Sequence, residues 1–227
     1  MLDLGSPPAL QPLARIVDDD ETVRRSTVFN LRMAGIESIA FESAEEFLER
    51  DDIRRPGVLV LDVRMPGMSG LELQDELLRR GNDLPILFLT GHGDVAMAVM
   101  ALKKGAAEFC EKPVDPAQLR EKVRRLSEAH IETRREAFRI RMMKGAFETL
   151  TDREKEVIRC VADDRLNKVI AFDLGIQEHT VKIHRANACR KLGVRSALEA
   201  HEFLRQIGEL LPEDEKTADN TAESAAE

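Results

Sequence analysis

Four short apolar runs in the first half of the chain each end in a residue able to do chemistry, and that alternation constrains the fold more than any other feature. Leu13-Ala14-Arg15-Ile16-Val17 ends in Asp18-Asp19-Asp20. Gly57-Val58-Leu59-Val60-Leu61 ends in Asp62, which leads into the turn-rich Val63-Arg64-Met65-Pro66-Gly67-Met68-Ser69-Gly70. Ile86-Leu87-Phe88-Leu89 ends in Thr90, and Ala107-Glu108-Phe109-Cys110-Glu111 ends in Lys112-Pro113. Runs of this length bounded by turn residues read as buried strands. Helical patterns fill the gaps between them, so the strands are expected to lie parallel, with their carboxyl ends on one rim.

Helix-start signals fall in those gaps. Asp20 caps a helix over Glu21–Ala34, Asp94 opens one over Val95–Lys104, and Asp115-Pro116 supplies a cap followed by proline at the first helical position. Ser43-Ala44-Glu45-Glu46 and Ser69-Gly70-Leu71-Glu72 read as capping boxes. The expectation is a five-stranded α/β domain of flavodoxin-like order. On its rim, Asp18, Asp19 and Asp62 crowd negative charge that a cation must compensate. Mg²⁺ suits such a site, because it takes a few carboxylates and keeps waters for an incoming phosphate. An aspartate beside Mg²⁺ can attack a phosphoryl group, with Thr90 and Lys112 holding phosphoryl oxygens. The chemistry implied is phosphoryl transfer onto Asp62.

These residues, in this order and spacing, resemble the response-regulator receiver domain over 12–128. Val-Asp-Asp-Asp, Leu-Asp-Val-Arg-Met-Pro and Thr-Gly-His-Gly-Asp look like its FixJ-type branch. The resemblance implies that Asp62 is the phosphoacceptor and Asp19 a direct Mg²⁺ ligand. It makes Asp18 a ligand through water and gives the backbone carbonyl of Arg64 the remaining place. Thr90 and Phe109 fall at the switch positions. Cys110 and Val114 stand where larger apolar residues are common.

The rest of the chain organises around a second domain. Residues 129–147 are rich in charge and helix formers and read as a helical linker, solvated rather than a coiled coil, because His130 and Thr133 interrupt the apolar pattern. Residues 148–211 carry four helices: one opened by the capping box Thr151-Asp152-Arg153-Glu154 and running to Ala162, then Asn167–Leu174, Glu178–Leu192 closed by Gly193, and Ser196–Ile207. Two helices joined by a short turn at Gly175 have helix-turn-helix geometry. At 100° per residue, Val181, Ala188 and Leu192 share one face of the third helix and should pack inward. His179, Ile183, Ala186, Asn187 and Arg190 lie opposite, with Lys182 at the edge; Ile183 suits a thymine methyl and Lys182 a guanine or a phosphate. Pro212–Glu227 is polar and acidic, and expected to be disordered.

Net charge is −8, which argues against a nucleic-acid partner only until it is divided. Residues 149–211 hold 11 Lys/Arg against 10 Asp/Glu, and the tail 212–227 holds one against six. The excess acid lies outside the helical domain, so DNA is not excluded. No apolar run reaches the ~18 residues of a membrane span, no signal peptide is evident, and three well-separated cysteines form no CxxC pair. A cytoplasmic protein with no membrane partner is expected.

Residues 148–208 resemble a LuxR-type DNA-binding domain: Leu150-Thr151-Asp152-Arg153-Glu154-Lys155-Glu156-Val157-Ile158 matches its opening, and Glu178–His184 with Lys191-Leu192-Gly193-Val194 its recognition helix and exit. The resemblance implies base-facing Lys182, Ile183 and Ala186, a phosphate-facing Thr180, and a structural His184. Asp164-Arg165-Leu166 departs from the usual Gly-Leu-Ser, which removes a glycine from a turn and a side-chain cap from a helix.

Together these expectations describe a two-component response regulator of the FixJ/NarL type. A sensor histidine kinase would phosphorylate Asp62, the chain would pair as a homodimer through the Val95–Lys104 helix face, and the pair would bind double-stranded promoter DNA, with RNA polymerase a further candidate partner. It is not expected to be a turnover enzyme: a metal-dependent phosphatase would need an acid two residues after Asp62, where Arg64 stands. The remaining alternative is a phosphorylation-independent transcription factor that uses the receiver only to dimerise.

Overall fold

The structure, a computed structural model, describes residues 11–91 and 95–210, without the side chains of Val95, Ala96 and Ala98. The expected cap at Asp94 and the acidic tail 212–227 lie outside the described residues. The chain divides into two compact units, the first running through Arg135 and the second starting at Glu136.

In the first unit five strands form one parallel sheet: β1 Leu13–Val17, β2 Ser38–Phe41, β3 Gly57–Asp62, β4 Ile86–Thr90 and β5 Glu108–Glu111, in the order β2-β1-β3-β4-β5. Between them run α1 Glu21–Met33, α2 Ala44–Arg50, α3 Gly70–Arg79 and α4 Val95–Lys103, and α5 Pro116–Glu148 follows β5. Every residue of β3 is buried, as expected of a strand covered on both faces. Alternate side chains feed two cores. Ala14, Ile16, Val58, Val60, Leu87 and Leu89 pack with Leu31 of α1 and with Leu119, Val123 and Leu126 of α5. Val17, Leu59, Leu61 and Phe88 pack with Phe47 of α2 and with Leu73 and Leu77 of α3. Gly57 lets β1 and β3 meet: a Cβ there would lie 1.9 Å from the Leu13 carbonyl oxygen.

Helix capping follows the sequence with one correction. The Asp20 carboxylate accepts from the backbone of Thr22 and Val23, and Ser69 and Glu72 form a complete reciprocal box. The box read at Ser43 is only half made. Ser43 Oγ accepts from Glu46 N, but the Glu46 carboxylate turns back to accept from Glu42 N at 2.8 Å.

The linker reading also changes. α5 is one helix of 33 residues, and residues 129–135 belong to the first unit, with His130 buried while Ala129, Glu132, Thr133 and Arg135 are exposed. His130 is 4% exposed. Its Nδ1 lies 2.9 Å from Gly57 O, while Arg134 Nε donates to its Nε2 at 3.1 Å. Gly57 N lies 3.1 Å from the same Nδ1, so the ring is hydrogen-bonded at both nitrogens. Arg134 also pairs with Asp83 and donates to the carbonyls of Ile53 and Arg54. Nearby, the fully buried Arg15 of β1 is neutralised by Asp51, 2.6 Å away, and donates to three backbone carbonyls. A buried charge of this kind is tolerated only when paired and fully hydrogen-bonded.

The second unit packs the last turns of α5 with α6 Asp152–Ala162, α7 Asn167–Asp173, α8 Glu178–Leu192 and α9 Ala197–Ile207. Met143, Phe147, Val157, Ile158, Ile170, Val181, Leu192 and Leu204 share its core. Among the described residues no helix is long and apolar enough to cross a membrane.

Burial holds the His130 pKa below its ordinary 6.5, against the pull of Asp83. A histidine kept neutral in the fold contributes stability that is complete above 6.5 and is lost as pH falls below it, because the unfolded chain then binds the extra proton. The stability difference between wild type and His130→Gln should therefore shrink as pH falls from 7.5 to 5. Denaturant melts across that range check this, and a pH-independent difference would contradict it.

Candidate functional site

The order β2-β1-β3-β4-β5 reverses direction between β1 and β3, and ligands of open α/β sheets gather outside the carboxyl ends at that point. Asp18 and Asp19 follow β1, and Asp62 ends β3. One carboxylate oxygen from each of the three lies within 4.8 Å of the others. Asp18 is fully buried, Asp62 is 6% exposed, and Asp19 faces out. Asp18 is held from behind: its Oδ1 accepts from Asp20 N at 2.9 Å, and its backbone carbonyl accepts from the Arg24 guanidinium at 2.7 Å.

Lys112 closes the cluster. Its Nζ lies 2.7 Å from Asp18 Oδ2 and 2.8 Å from Asp62 Oδ1. Its backbone N–H donates to Thr90 O at 2.7 Å, which ties the ends of β4 and β5 together. Burial pushes the Asp62 carboxyl above its ordinary range, and the Lys112 ammonium only partly offsets this. Burial works against the Lys112 ammonium too, but its hydrogen bonds to Asp18 and Asp62 win and raise its pKa. Thr90 is buried at the end of β4, one position beyond Leu89, the partner of Asp62 in the strand register. Phe109 on β5 is half-buried against the α2–α4 face of the sheet.

The donor set fits a hard divalent cation. Three carboxylates converge with open space toward Asp19, and carboxylates with a backbone carbonyl are what Mg²⁺ takes. Asp18, Asp19, Asp62 and the backbone carbonyl of Arg64, which is two residues past β3, would hold it. Sequence reading missed Arg24 at this site; a basic residue one turn into the helix after the acids was the available signal.

In the second unit the burial of α8 follows the helical projection. Val181, Ala188 and Leu192 of α8 are buried. His179, Lys182, Ile183, Ala186 and Arg190 are exposed, and Thr180 and Asn187 half-buried. Ile183 is 48% exposed between its polar neighbours Lys182 and His184. The basic count of this helix overstates its free charge. Lys191 pairs with the buried Glu154 at 2.6 Å, and Arg185 donates to Asn167 Oδ1 at 3.0 Å. Lys182 pairs within its own helix with Glu178, and Arg190 donates to Asn187. The departures before α7 have visible consequences: Asp164 adopts a positive φ of 56°, and Leu166 caps α7 without a side-chain hydrogen bond.

Two family matches cover most of the chain: the response regulator receiver domain over residues 14–124 and the bacterial regulatory proteins of the luxR family over 148–204. Nodulation protein W of Bradyrhizobium diazoefficiens is 41% identical over 194 residues, which is 85% of each chain. The transcriptional regulatory protein FixJ of Rhizobium meliloti is 41% identical over 80% of this chain and 89% of its own. Among solved structures, that of the response regulator StyR superposes with a TM-score of 0.80 at 40% identity, covering 86% of this chain and 99% of that one.

Replacing Lys112 by Met should leave two buried carboxylates facing each other without a counter-charge. In metal-free buffer at pH 7 a loss of about 1–3 kcal/mol in unfolding free energy is expected. The loss should diminish as pH is lowered from 7 to 5, because burial raises the Asp62 pKa and its protonation relieves the repulsion. Urea melts of the two proteins at both pH values test this, and equal stability at pH 7 would refute it.

Proposed function

The chain belongs to the FixJ/NarL-type response regulators, transcriptional regulators that join a receiver domain to a LuxR-type DNA-binding domain, and from that membership we propose that it takes a phosphoryl group on Asp62 and answers by binding promoter DNA. The observation that carries the proposal is the Lys112 ammonium set between Asp18 and Asp62 at 2.7 and 2.8 Å. It gives the Asp62 carboxylate a counter-charge in a cluster that opens to solvent at Asp19.

In the proposed reaction a carboxylate oxygen of Asp62 attacks phosphorus. A P–O bond forms to Asp62, and the bond from phosphorus to the histidine nitrogen of a sensor kinase breaks, leaving its electron pair on that nitrogen. Mg²⁺, when bound by Asp18, Asp19, Asp62 and the Arg64 carbonyl, supplies positive charge to the phosphoryl oxygens. Lys112 gives up its contact with Asp62 to pair with one phosphoryl oxygen, and the Thr90 hydroxyl donates to another. Asp62 is consumed stoichiometrically, so the chain is an acceptor rather than a turnover enzyme.

Thr90 and Phe109 then relay the change to α4 and β5. The α4 face suits a dimer contact, since Val99, Met100 and Leu102 are 43%, 55% and 38% exposed. Pairing two receivers places two DNA-binding units on adjacent half-sites, and the second unit then binds as an intramolecular event. Thr180, Lys182, Ile183, Ala186, Asn187 and Arg190 form the contact surface on double-stranded DNA. RNA polymerase is the natural further partner of such a regulator.

Intact mass spectrometry after incubation with Mg²⁺ and acetyl phosphate tests the acceptor. One added phosphoryl group is expected on wild type, and none on Asp62→Asn or in EDTA. If neither acetyl phosphate nor a cognate kinase adds one, and DNA affinity is the same in Asp62→Asn, the receiver serves only as a dimerisation module. On DNA, Lys182→Ala and Ile183→Ala should each weaken operator binding about 10-fold, within the range for a single base-facing contact. Fluorescence anisotropy on the operator reads this, and unchanged affinity in both would displace α8 as the reading helix.

A further inference from the structure

Asp62 is followed by a loop, Val63–Ser69, whose backbone must present the Arg64 carbonyl to the cation. No side chain of Arg64 can aim that carbonyl; only the loop's own conformation can. Both ends of the loop are fixed. Gly70 N donates to Val63 O at 3.0 Å, and a Cβ on Gly70 would lie 2.1 Å from the Asp62 carbonyl oxygen. Ser69 is locked in its capping box with Glu72. The middle is held from another element: Met68 N donates to Glu45 Oε1, 2.9 Å away, at the start of α2. Gly67, with φ +73°, passes so close that a Cβ would meet the same Oε1 at 2.9 Å. Backbone hydrogen bonding, that of Met68 included, holds the Glu45 carboxyl below its ordinary range. An acceptor on α2 and a glycine that leaves room for it, 22 residues apart, meet at the middle of the loop.

We propose that Glu45 is a positioning residue for phosphoryl acceptance, holding the Val63–Ser69 loop so that the Arg64 carbonyl is aimed at the metal. The proposal rests on the acceptor role of Asp62. It assigns Glu45 an effect on cation affinity and none on the phosphoryl transfer that follows once the cation is bound. The contribution is that of one charge-assisted hydrogen bond partly screened by water, worth about threefold to tenfold in Mg²⁺ affinity.

The test uses the full chain and the variants Glu45→Ala and Glu45→Gln. Amide hydrogen exchange at Met68 without metal reads the contact alone. Mg²⁺-dependent thermal stabilisation reads cation affinity without phosphodonor. Acetyl phosphate kinetics at limiting and saturating Mg²⁺ separate affinity from rate. For Glu45→Ala, faster Met68 exchange and a Mg²⁺ dissociation constant raised threefold to tenfold are expected, with the rate at saturating Mg²⁺ within twofold of wild type. Glu45→Gln should lose less than Glu45→Ala, because its amide oxygen still accepts but without the charge. Unchanged Met68 exchange or unchanged Mg²⁺ affinity in Glu45→Ala overturns the proposal. So does equal loss in Ala and Gln, which would make Glu45 a distant charge. If wild type itself shows no Mg²⁺ response and no phosphorylation, the acceptor reading of Asp62 falls, and this role falls with it.

Discussion

Asp18 and Asp62 share one ammonium, and the arrangement of the first unit's working edge depends on that sharing. Two carboxylates this close, one fully buried, repel strongly in a low-dielectric setting. Lys112 relieves the repulsion, but it reaches the acids from the far end of β5, so the balance of charge depends on where that strand ends. Because Lys112 N also donates to Thr90 O, a change at Asp62 that draws the ammonium away pulls on the ends of β4 and β5 together. A small charge event is thereby coupled to two strand ends without any long-range wire.

Much of this was legible in the sequence, for a physical reason. Strands buried on both faces are largely apolar, so β1, with only Arg15 polar, and β3 and β4 announced themselves, and the chemistry at their ends followed. β2 was not read, because Ser38-Ile39-Ala40-Phe41 is short, sits at the sheet edge and exposes Ile39. The three inward residues of α8 were legible from helical spacing alone. The charge on its outer face was not, because the partners of Lys191 and Arg185 lie 37 and 18 residues away.

His130 shows the limit most clearly. Read locally, a histidine in a polar stretch breaks an apolar repeat and suggests solvent. In the fold it is buried with its Nδ1 within hydrogen-bonding distance of the backbone of Gly57, 73 residues earlier. Arg134 then seals it from outside. The same holds for Glu45: the sequence marks it as a first-turn acid of α2 and gives no hint that its acceptor serves a loop on another strand. Side chains that fix backbone across long sequence separations carry no local signature, whereas side chains that cap their own helix do.

The turn before α7 shows how the second unit accommodates residues that its fold does not favour locally. Asp164 takes a left-handed conformation in which glycine is preferred, and Leu166 caps nothing; each costs about 1 kcal/mol in general. Neither disturbs α8. That helix is placed by Val181, Ala188 and Leu192, packed in one core with Val157 and Ile158 of α6 and Leu204 of α9. It is pinned near its end by Lys191 on the buried Glu154, which is itself the capping residue of α6. α7 packs with α8 through Ile170 and Ala171 in the core and through the Arg185–Asn167 hydrogen bond. The unfavourable turn lies before α7, and the helix that carries Lys182 and Ile183 is set by contacts the departures do not touch.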